Sequence, residues 1–411
     1  MSPSAHRRPD VTRRDAVGSI LQAALLAHPL GSRLLVRAAP SLTSGSHTDL
    51  QPLVAEVRRL IEAMAYLGEP FPDADRARLD AAASMGDEAR AVVEVQRILD
   101  PKCLLLVRIN PESRVSIERG TAPARLVERG WRAFLLKVRN EAGVTGALAA
   151  ESPQARPVYR PGTGNSIAPA TVLPADVADR WLALDTFVDK PMEPRLSGLD
   201  LEYRIVLAYS RDRGRREAQL GASLGGGGQD LGFRNRVAVL FDVAPSRDII
   251  LRVHDEEGRP TTASFLIKDK IGRVYPARSK RLAPDFFFQE QIYRADGESV
   301  RLPAGVFSVT CSRGPEYLSE TRDVTVGGTN GSADFKLRRW IDPPALGWYS
   351  GDHHIHAAGC SHYESPTEGV RPEDMMRHVV GEALSVGSVL NWGPSYYHQR
   401  QFFEGKDNKL S

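Results

Sequence analysis

Histidine is concentrated near the C-terminal end of this 411-residue chain. Of its 10 histidines, six follow Gly351, namely His353, His354, His356, His362, His378 and His398. In a β-strand alternate side chains share a face, so the run Asp352-His353-His354-Ile355-His356 would bring Asp352, His354 and His356 together. Two imidazoles at this spacing can hold one divalent ion at about 2.0–2.1 Å, and Asp352 can bind it or orient a ligand. The spacing therefore predicts a metal site.

The residues after His356 extend this candidate site. Ala357-Ala358-Gly359 are small and leave room around an ion, and His362 follows within reach of the same pocket. Pro372-Glu373-Asp374 predicts the start of a helix that continues to about Ser385, because proline and acidic residues favour the first turn. A strand with metal-type ligands, a loop and a helix are typical of the first β-α unit of a barrel whose site lies at the carboxyl ends of its strands. Nitrogen and oxygen ligands argue against a soft thiolate site.

The residues that precede the candidate site must position these ligands. The spacing of their apolar residues changes at Cys103. Before that point a helical segment over 49–100 is predicted by apolar residues at three- and four-residue steps, namely Leu53, Val57, Leu60, Ile61 and Met64. From Cys103 the apolar period becomes two. Short strands separated by turn residues then predict an antiparallel β-sandwich over 103–243.

A second all-β unit is predicted over 248–338. Ile249–Val253 has the pattern of a strand, Asp255–Pro260 that of its turn, and Leu302–Gly305 that of a turn before an alternating strand. This order resembles the carboxypeptidase regulatory-like, transthyretin-type sandwich, a family that implies a supporting or ligand-presenting module. Phe286-Phe287-Phe288 has two interpretations, an exposed sugar platform or a plug in the core or between domains.

Composition limits the function classes. Lys+Arg 54 against Asp+Glu 51 gives a net charge of +3, and no basic stripe with aromatic residues is present, so no nucleic-acid partner is expected. The three cysteines are far apart in the sequence, which excludes a disulfide framework or a thiolate metal knuckle. No apolar run reaches the roughly 18–20 residues that span a bilayer, so no integral membrane segment is expected.

Residues 1–40 resemble a twin-arginine export signal. Arg13-Arg14 precedes the mildly apolar stretch Ala16–Leu26, and the small residues Ala38 and Ala39 follow. This resemblance predicts a periplasmic or extracellular protein. The alternative is a cytoplasmic protein in which a basic arm precedes a short helix.

The C-terminal motif resembles a known family. Asp352, His354 and His356 at a strand end, then a glycine-bounded loop and a helix that starts with Pro-Glu-Asp, are similar to the first motif of the PHP (polymerase and histidinol phosphatase) superfamily of metallohydrolases. The wider context from Gly347 onward resembles its CehA/McbA-type branch. In that branch a barrel follows β-sandwich domains in a long exported protein.

The resemblance implies a role for each matching residue. His354 and His356 match the first pair of metal ligands, and His362 matches a third histidine in the next loop. Asp352 matches the aspartate that opens the motif, and Glu368 stands where members often carry an aspartate. The family implies divalent Zn, Mn or Fe and a metal-activated water that cleaves an ester, amide or phosphoester of a small-molecule or polymer substrate.

The chain departs from the family at two points. Many members have a metal-binding histidine at the end of the second strand, where this chain has Val389-Leu390-Asn391, and Asn391 or His398 would have to compensate. Residues 347–411 are also too few for a barrel of about 200 residues or more. We therefore expect the front portion of a longer exported hydrolase, inactive alone. The alternative is a non-catalytic exported β-sandwich protein that binds a carbohydrate or a protein.

The expected fold is therefore multidomain and mainly β. A helical segment precedes two antiparallel sandwiches, the second of them carboxypeptidase regulatory-like, and the first β-α units of an incomplete PHP-type (β/α) barrel over 347–411 complete the chain.

Overall fold

The structure, a computed structural model, describes residues 48–157, 177–225, 236–281, 284–356, 372–389, 396–397 and 400. All of these residues belong to the unit Ser46–Ser411. The predicted export signal, residues 1–40, lies outside the described ranges. None of the helices in these ranges is both long and apolar enough to cross a membrane.

Three helices come first in the chain. They are α1 (Leu50–Tyr66), α2 (Asp73–Ala83) and α3 (Glu88–Leu99). The apolar face of α1 is buried at Leu53, Val57 and Leu60, as the 3.6-residue period of its sequence requires. At the start of α3 the Asp87 carboxylate accepts a hydrogen bond from the Arg90 N–H at 3.0 Å and pairs a donor that the first turn would leave unpaired. Helices thus occupy the segment in which the sequence predicts them.

Nine strands follow and form a sandwich of two sheets. They are β1 (Cys103–Ile109), β2 (Val115–Arg119), β3 (Arg125–Val127), β4 (Trp131–Asn140), β5 (Ala147–Glu151), β6 (Leu182–Phe187), β7 (Leu201–Ser210), β8 (Gly214–Gly225) and β9 (Val237–Ala244). The strand orders are β2-β1-β4-β7-β6 and β3-β9-β8-β5. The predicted sandwich is confirmed, but the prediction that it is antiparallel is wrong at two pairs. β1 runs parallel to β4 and β3 parallel to β9. Neither pair is joined by a tight hairpin, which would impose an antiparallel order, so the parallel order is open to both.

The sheet β2-β1-β4-β7-β6 is covered on both faces. The three helices pack on one face, and the sheet β3-β9-β8-β5 packs on the other. As a result β7 is buried at almost every position instead of at alternate ones. A strand that is buried on both faces carries no alternating pattern in its sequence.

Glu56 is a buried carboxyl group between α1 and this sheet. Its side chain is 3% exposed, and its Oε1 accepts a hydrogen bond from the Tyr203 N–H at 2.6 Å. Its Oε2 has no hydrogen-bond partner among the described residues. Burial, followed by repulsion from the Glu202 carboxylate, raises the pKa of Glu56 to about 8. The folded chain therefore keeps Glu56 protonated at neutral pH.

The stability of the fold should fall as the pH rises from about 4.5 to about 8, because the folded state retains a proton on Glu56 that the unfolded chain releases. Glu56→Gln is neutral at every pH and should remove this decline. The free energy of unfolding in urea at pH 5, 7 and 9 measures the effect. Glu62→Gln, on the exposed side of α1, is the matched control and should keep the wild-type slope. Equal slopes for wild type and Glu56→Gln would contradict the prediction.

A second sandwich follows directly. Its strands are β10 (Ser246–His254), β11 (Thr262–Lys268), β12 (Val274–Tyr275), β13 (Ile292–Ala295), β14 (Ser299–Pro303), β15 (Gly305–Ser312), β16 (Tyr317–Leu318), β17 (Glu320–Val326), β18 (Gly331–Lys336) and β19 (Arg338–Arg339). One sheet has the order β14-β10-β18. The other has the order β12-β11-β15-β17, with β13 also paired to β11, and β16 pairs with β19. β10 and β18 are parallel, so the antiparallel prediction is again wrong at one pair, whose members are separated by seven strands of the chain.

The turn after β10 has the conformation that its sequence predicts. The Asp255 carboxylate accepts hydrogen bonds from the N–H groups of Glu257 at 3.0 Å and Arg259 at 2.9 Å. Gly258 has φ +84°, a conformation that L side chains rarely adopt. The aspartate and the glycine are therefore both needed for this tight reversal.

A buried ionic network joins the two sandwiches to the helices. The Glu69 side chain, which follows α1, is 6% exposed and accepts hydrogen bonds from the Ala133 N–H at 3.2 Å and from Arg273 Nε at 2.9 Å. Arg132 donates to the Tyr275 hydroxyl at 2.7 Å and lies 3.6 Å from the Glu69 carboxylate. Because Ala133 and Arg132 lie on β4 and Tyr275 lies on β12, these bonds fix the second sandwich against the first.

The last described elements form a β-α-β unit. They are β20 (Gly351–Ile355), α4 (Pro372–Gly381) and β21 (Val386–Val389). β20 and β21 are parallel, with Gly351 opposite Val386 and Ile355 opposite Val389. The helix begins at Pro372 as predicted but ends at Gly381, earlier than the predicted Ser385, because Ala383 takes the left-handed φ of +54° and the chain turns into β21. Within the described ranges the chain shows one such unit and no further strands of a barrel.

Candidate functional site

β20 and the residue directly after it bring three of the predicted site residues to one cavity. Asp352, His354 and His356 all line it, although the register shifts by one residue between Asp352 and Ile355. The ring centroids of His354 and His356 are 5.1 Å apart. Two imidazoles bound to one ion at about 2.0–2.1 Å have centroids roughly 5 Å apart, so the observed separation fits a shared ion.

The carboxylate of Asp352 is engaged with the strand itself. Its Oδ1 accepts a hydrogen bond from the His354 N–H at 2.8 Å. This bond fixes the backbone that carries the His354 side chain. Asp352 is therefore placed to orient a ligand, and its second oxygen is the atom that an ion could reach without breaking this bond.

The other predicted ligands are not part of the described structure. His362 and Glu368 lie outside the described residues, as do Asn391 and His398. Among the residues that are described, no group of three or more His, Cys, Asp and Glu side chains is arranged to hold a metal ion. The described part of the site thus offers a histidine pair and one orienting carboxylate.

The cavity has a volume of about 550 Å³, within the range of roughly 300–1,000 Å³ that small-molecule sites occupy. One wall is β20. A second wall is α4 and the turn after it, through Met375, Val379 and Leu384. The third wall is the loop before β13 in the second sandwich, where Phe286-Phe287-Phe288 and Gln289 lie. The site is therefore shared between the β-α-β unit and the second sandwich.

His378 is one of the histidines that cluster near the C-terminal end of the sequence, but its side chain packs against the second sandwich. Its Nε2 lies 2.8 Å from the Pro284 carbonyl oxygen, and its ring centroid is 4.5 Å from Phe286 and 4.2 Å from Tyr293. Burial lowers the pKa of His378, which favours the neutral form of the ring. His378 therefore fixes α4 to the second sandwich.

Tyr293 and Glu382 complete this contact between α4 and the second sandwich. The Tyr293 hydroxyl donates a hydrogen bond to the Glu382 carboxylate, and Arg313 Nε donates to the Val380 carbonyl oxygen at 3.2 Å. Burial, together with the Glu382 carboxylate, raises the pKa of Tyr293 well above its usual value. Both side chains are thereby held in fixed positions beside the cavity.

Two glycines allow the close approach of α4. A Cβ at Gly381 would overlap the ring of Tyr293, and a Cβ at Gly314 would overlap the Glu382 carbonyl oxygen. Gly314 also has φ +64°. Sequence reasoning did not single out these glycines, because their role appears only when the helix and the sandwich are in contact.

The aromatic wall is organised by Arg281, which sequence reasoning also missed. Its side chain is 5% exposed. Its five N–H groups are shared among six main-chain carbonyl oxygens within hydrogen-bond distance, those of Pro276, Ala277, Phe286, Gln289, Glu290 and Gln291. Burial lowers the pKa of Arg281 to about 10, so the group remains charged at neutral pH. The Arg281 side chain thus fixes the loop through the carbonyl groups of the loop's own main chain.

Comparisons with known proteins assign no family to the chain. No protein-family model matches it, and no curated protein matches it. Solved structures with some similarity include the major pilin subunit BcpA of Bacillus cereus, at 8% identity and a TM-score of 0.21 over 53% of this chain and 67% of that chain. A 35 kDa C-terminal fragment of the major pilin GBS80 of Streptococcus agalactiae has 8% identity and a TM-score of 0.21 over 53% of this chain and 95% of that chain. At TM-scores this low the similarity supports no statement about fold or function.

A bulky side chain at Gly381 should weaken the packing of α4, which forms one wall of the cavity, against the second sandwich. Gly381→Leu would overlap the Tyr293 ring and should lower the free energy of unfolding by about 1–3 kcal/mol. It should also speed amide hydrogen exchange in α4 and β21. Urea unfolding and hydrogen exchange measured by mass spectrometry check both effects.

Gly327→Leu is the control for this substitution, because Gly327 is exposed and nothing lies within 4 Å of the position of its Cβ. It should change neither quantity. Unchanged exchange in α4 of the Gly381→Leu variant would show that this contact does not hold the helix.

Proposed function

We propose that this chain carries the metal-binding strand of a metal-dependent hydrolase of the PHP type, and that His354 and His356 hold the ion. The observation that carries the proposal is the 5.1 Å separation of these two imidazoles within a cavity of small-molecule size. The parallel order of β20 and β21, connected through α4, supports it further. In such a unit the carboxyl ends of the strands lie at one edge, which is where barrel enzymes bind their substrates.

The donor set fits a borderline divalent ion. Imidazole nitrogens together with carboxylate oxygens suit Zn, Mn or Fe. Asp352 would orient His354 through its backbone or contribute its second oxygen. His362 and Glu368, which the resemblance to the PHP superfamily implies, are the proposed further ligands.

The residues of the cavity have separate roles in the proposed reaction. When bound, the ion would supply a water of lowered pKa and polarise the carbonyl or phosphoryl group of an ester, amide or phosphoester. His354, on a strand whose backbone Asp352 fixes, and His356, directly after that strand, would hold the ion through their ring nitrogens. The walls from α4 and the second sandwich would bind the substrate and exclude bulk water from it.

The sandwiches and the N-terminal residues have supporting roles in this proposal. The second sandwich would act as a carboxypeptidase regulatory-like module that supports the site and presents the substrate to it. Arg13-Arg14 and the apolar stretch that follows support export to the periplasm or the exterior. Fusion of residues 1–40 to a reporter that is active only after export tests this part, with Arg13-Arg14→Lys-Lys as the control that should remain inside the cell.

Metal binding by the purified 411-residue chain tests the central part of the proposal. Titration with Zn²⁺, Mn²⁺ and Fe²⁺, followed by calorimetry, should show saturable binding of at least one ion. His354→Ala and His356→Ala should each weaken it at least about tenfold, since each removes a ligand. Asp352→Asn keeps an acceptor for the His354 N–H but loses the charge, and it should weaken binding about 10–100-fold.

His353→Ala is the matched control, because His353 is an exposed histidine adjacent to the proposed ligands and does not line the cavity. It should bind metal as the wild type does. The proposal fails if wild type, His354→Ala and His356→Ala bind the ion equally. Such a result would favour the alternative of a non-catalytic β-sandwich binding protein.

A further inference from the structure

The turn between β17 and β18, residues 327–330, ends in an asparagine that is followed by a glycine. Asn330-Gly331 is the single Asn-Gly pair of the 411-residue sequence. Both residues are exposed, and β18 begins at Gly331. Because glycine has no Cβ, its main-chain nitrogen can approach the side-chain carbon of the preceding residue more closely than other residue types allow. The pair is therefore a candidate for a reaction between a side chain and the main chain.

The Asn330 side chain is held and polarised by β10. The Asp248 N–H donates a hydrogen bond to the Asn330 Oδ1 at 3.1 Å. A donor at this oxygen draws electron density away from Cγ. It also stabilises the negative charge that Oδ1 gains when a nucleophile adds to Cγ, as a donor in an oxyanion hole does. The hydrogen bond therefore favours attack on this amide.

The turn has room to change its shape. Nothing lies within 4 Å of the position that a Cβ would take at Gly327 or Gly328. Arg247 Nε donates a hydrogen bond to the Gly328 carbonyl oxygen at 2.5 Å, at the protein surface. Such a bond contributes little net free energy, because water can replace it. The main chain before Asn330 can therefore adjust while a ring closes.

We propose that Asn330 is a modification site at which the folded chain converts its own amide to a carboxylate. The main-chain nitrogen of Gly331 attacks Cγ of Asn330, a C–N bond forms, and the bond from Cγ to the amide nitrogen breaks. The proton of the Gly331 N–H passes through solvent to the departing nitrogen, which leaves as ammonia. Water then opens the resulting five-membered succinimide at either carbonyl group and gives aspartate or isoaspartate. The reaction requires no oxidant, reductant or enzyme.

Isoaspartate at position 330 would lengthen the main chain by one carbon atom immediately before β18. This strand lies at the edge of the sheet β14-β10-β18 and pairs in parallel with β10, with Gly331 opposite Ile249. The longer connection would no longer match this register, and the Asp248 N–H would lose its acceptor. The second sandwich would therefore loosen with time at this edge. This change is independent of metal binding by His354 and His356.

Incubation of the purified 411-residue chain tests the proposal. Samples are taken over several weeks in mildly alkaline buffer, and mass spectrometry with electron-transfer fragmentation distinguishes amide, aspartate and isoaspartate. The wild type should lose the Asn330 amide progressively, and faster at higher pH, since the Gly331 nitrogen reacts after it loses its proton. Asn110 and Asn140 are internal controls that should keep their amides. Asn110 precedes a proline, which has no N–H, and Asn140 is 2% exposed.

Substitutions in the turn identify the reacting atoms. Gly331→Ala should slow the loss at least about tenfold, because the added Cβ crowds the nucleophile. The variant should fold, since this Cβ would lie 3.9 Å from Ile249 Cδ1, an ordinary contact. Asn330→Gln keeps the amide but requires a six-membered ring, so it should lose no amide in the same period. Gly327→Ala is the matched control in the same turn and should react as the wild type does.

The reaction of the unfolded chain measures the role of the Asp248 N–H. In urea this hydrogen bond is absent, and the rate is set by the sequence alone. The folded chain should react no more than about tenfold more slowly than the unfolded chain. Greater protection would overturn the activating role of the hydrogen bond. Retention of the Asn330 amide in the folded wild type would overturn the proposal as a whole, and equal loss in Gly331→Ala would exclude the Gly331 nitrogen as the nucleophile.

Hydrogen exchange before and after incubation tests the structural consequence. Exchange should become faster in β18 of the wild type and stay unchanged in β7 of the first sandwich. Incubated Asn330→Gln should show no change in either strand. Unchanged exchange in β18 of a wild-type sample that contains isoaspartate would overturn the loosening of the second sandwich.

Discussion

The burial of one guanidinium group shapes the wall of the candidate site. Arg281 shares its five N–H groups among six carbonyl oxygens of its own neighbourhood, and in this way it compensates for the removal of its charge from water. The planar fork of arginine can reach several acceptors at once, which the point charge of lysine cannot do. The loop that results carries Phe286 against α4, and α4 in turn packs against β21. The position of the histidine strand beside its aromatic wall therefore depends on this buried cation.

The candidate site is built from segments that are distant in the chain. The loop around Phe286 comes from the second sandwich, the histidine pair comes from the end of β20 and the residue after it, and the remaining wall comes from α4. The Glu69 network continues this rigid connection to the helices and the first sandwich. A cavity between modules combines surfaces of different chemistry, here aromatic on one side and metal-type ligands on the other.

Patterns among residues that are close in the sequence predicted the features that depend on neighbouring residues alone. Apolar periodicity located the helices and strands, and the spacing of His354 and His356 placed both side chains in one cavity. Parallel pairing of β1 with β4 was not predictable in this way, since it depends on which distant strands become neighbours. The burial of Glu56 and Arg281 was missed for a similar reason. A charged residue in a sequence carries no mark of the desolvated position that tertiary contacts give it.

The glycines at the junction of α4 with the second sandwich carry an evolutionary consequence. Gly381 and Gly314 are each matched to an atom of the other module, so neither surface can change its shape alone. Recombination that joined this β-α-β unit to an unrelated sandwich would bring side chains into the space that these glycines leave open. Exchange of either module alone would therefore disrupt the junction, and the two surfaces would have to change together.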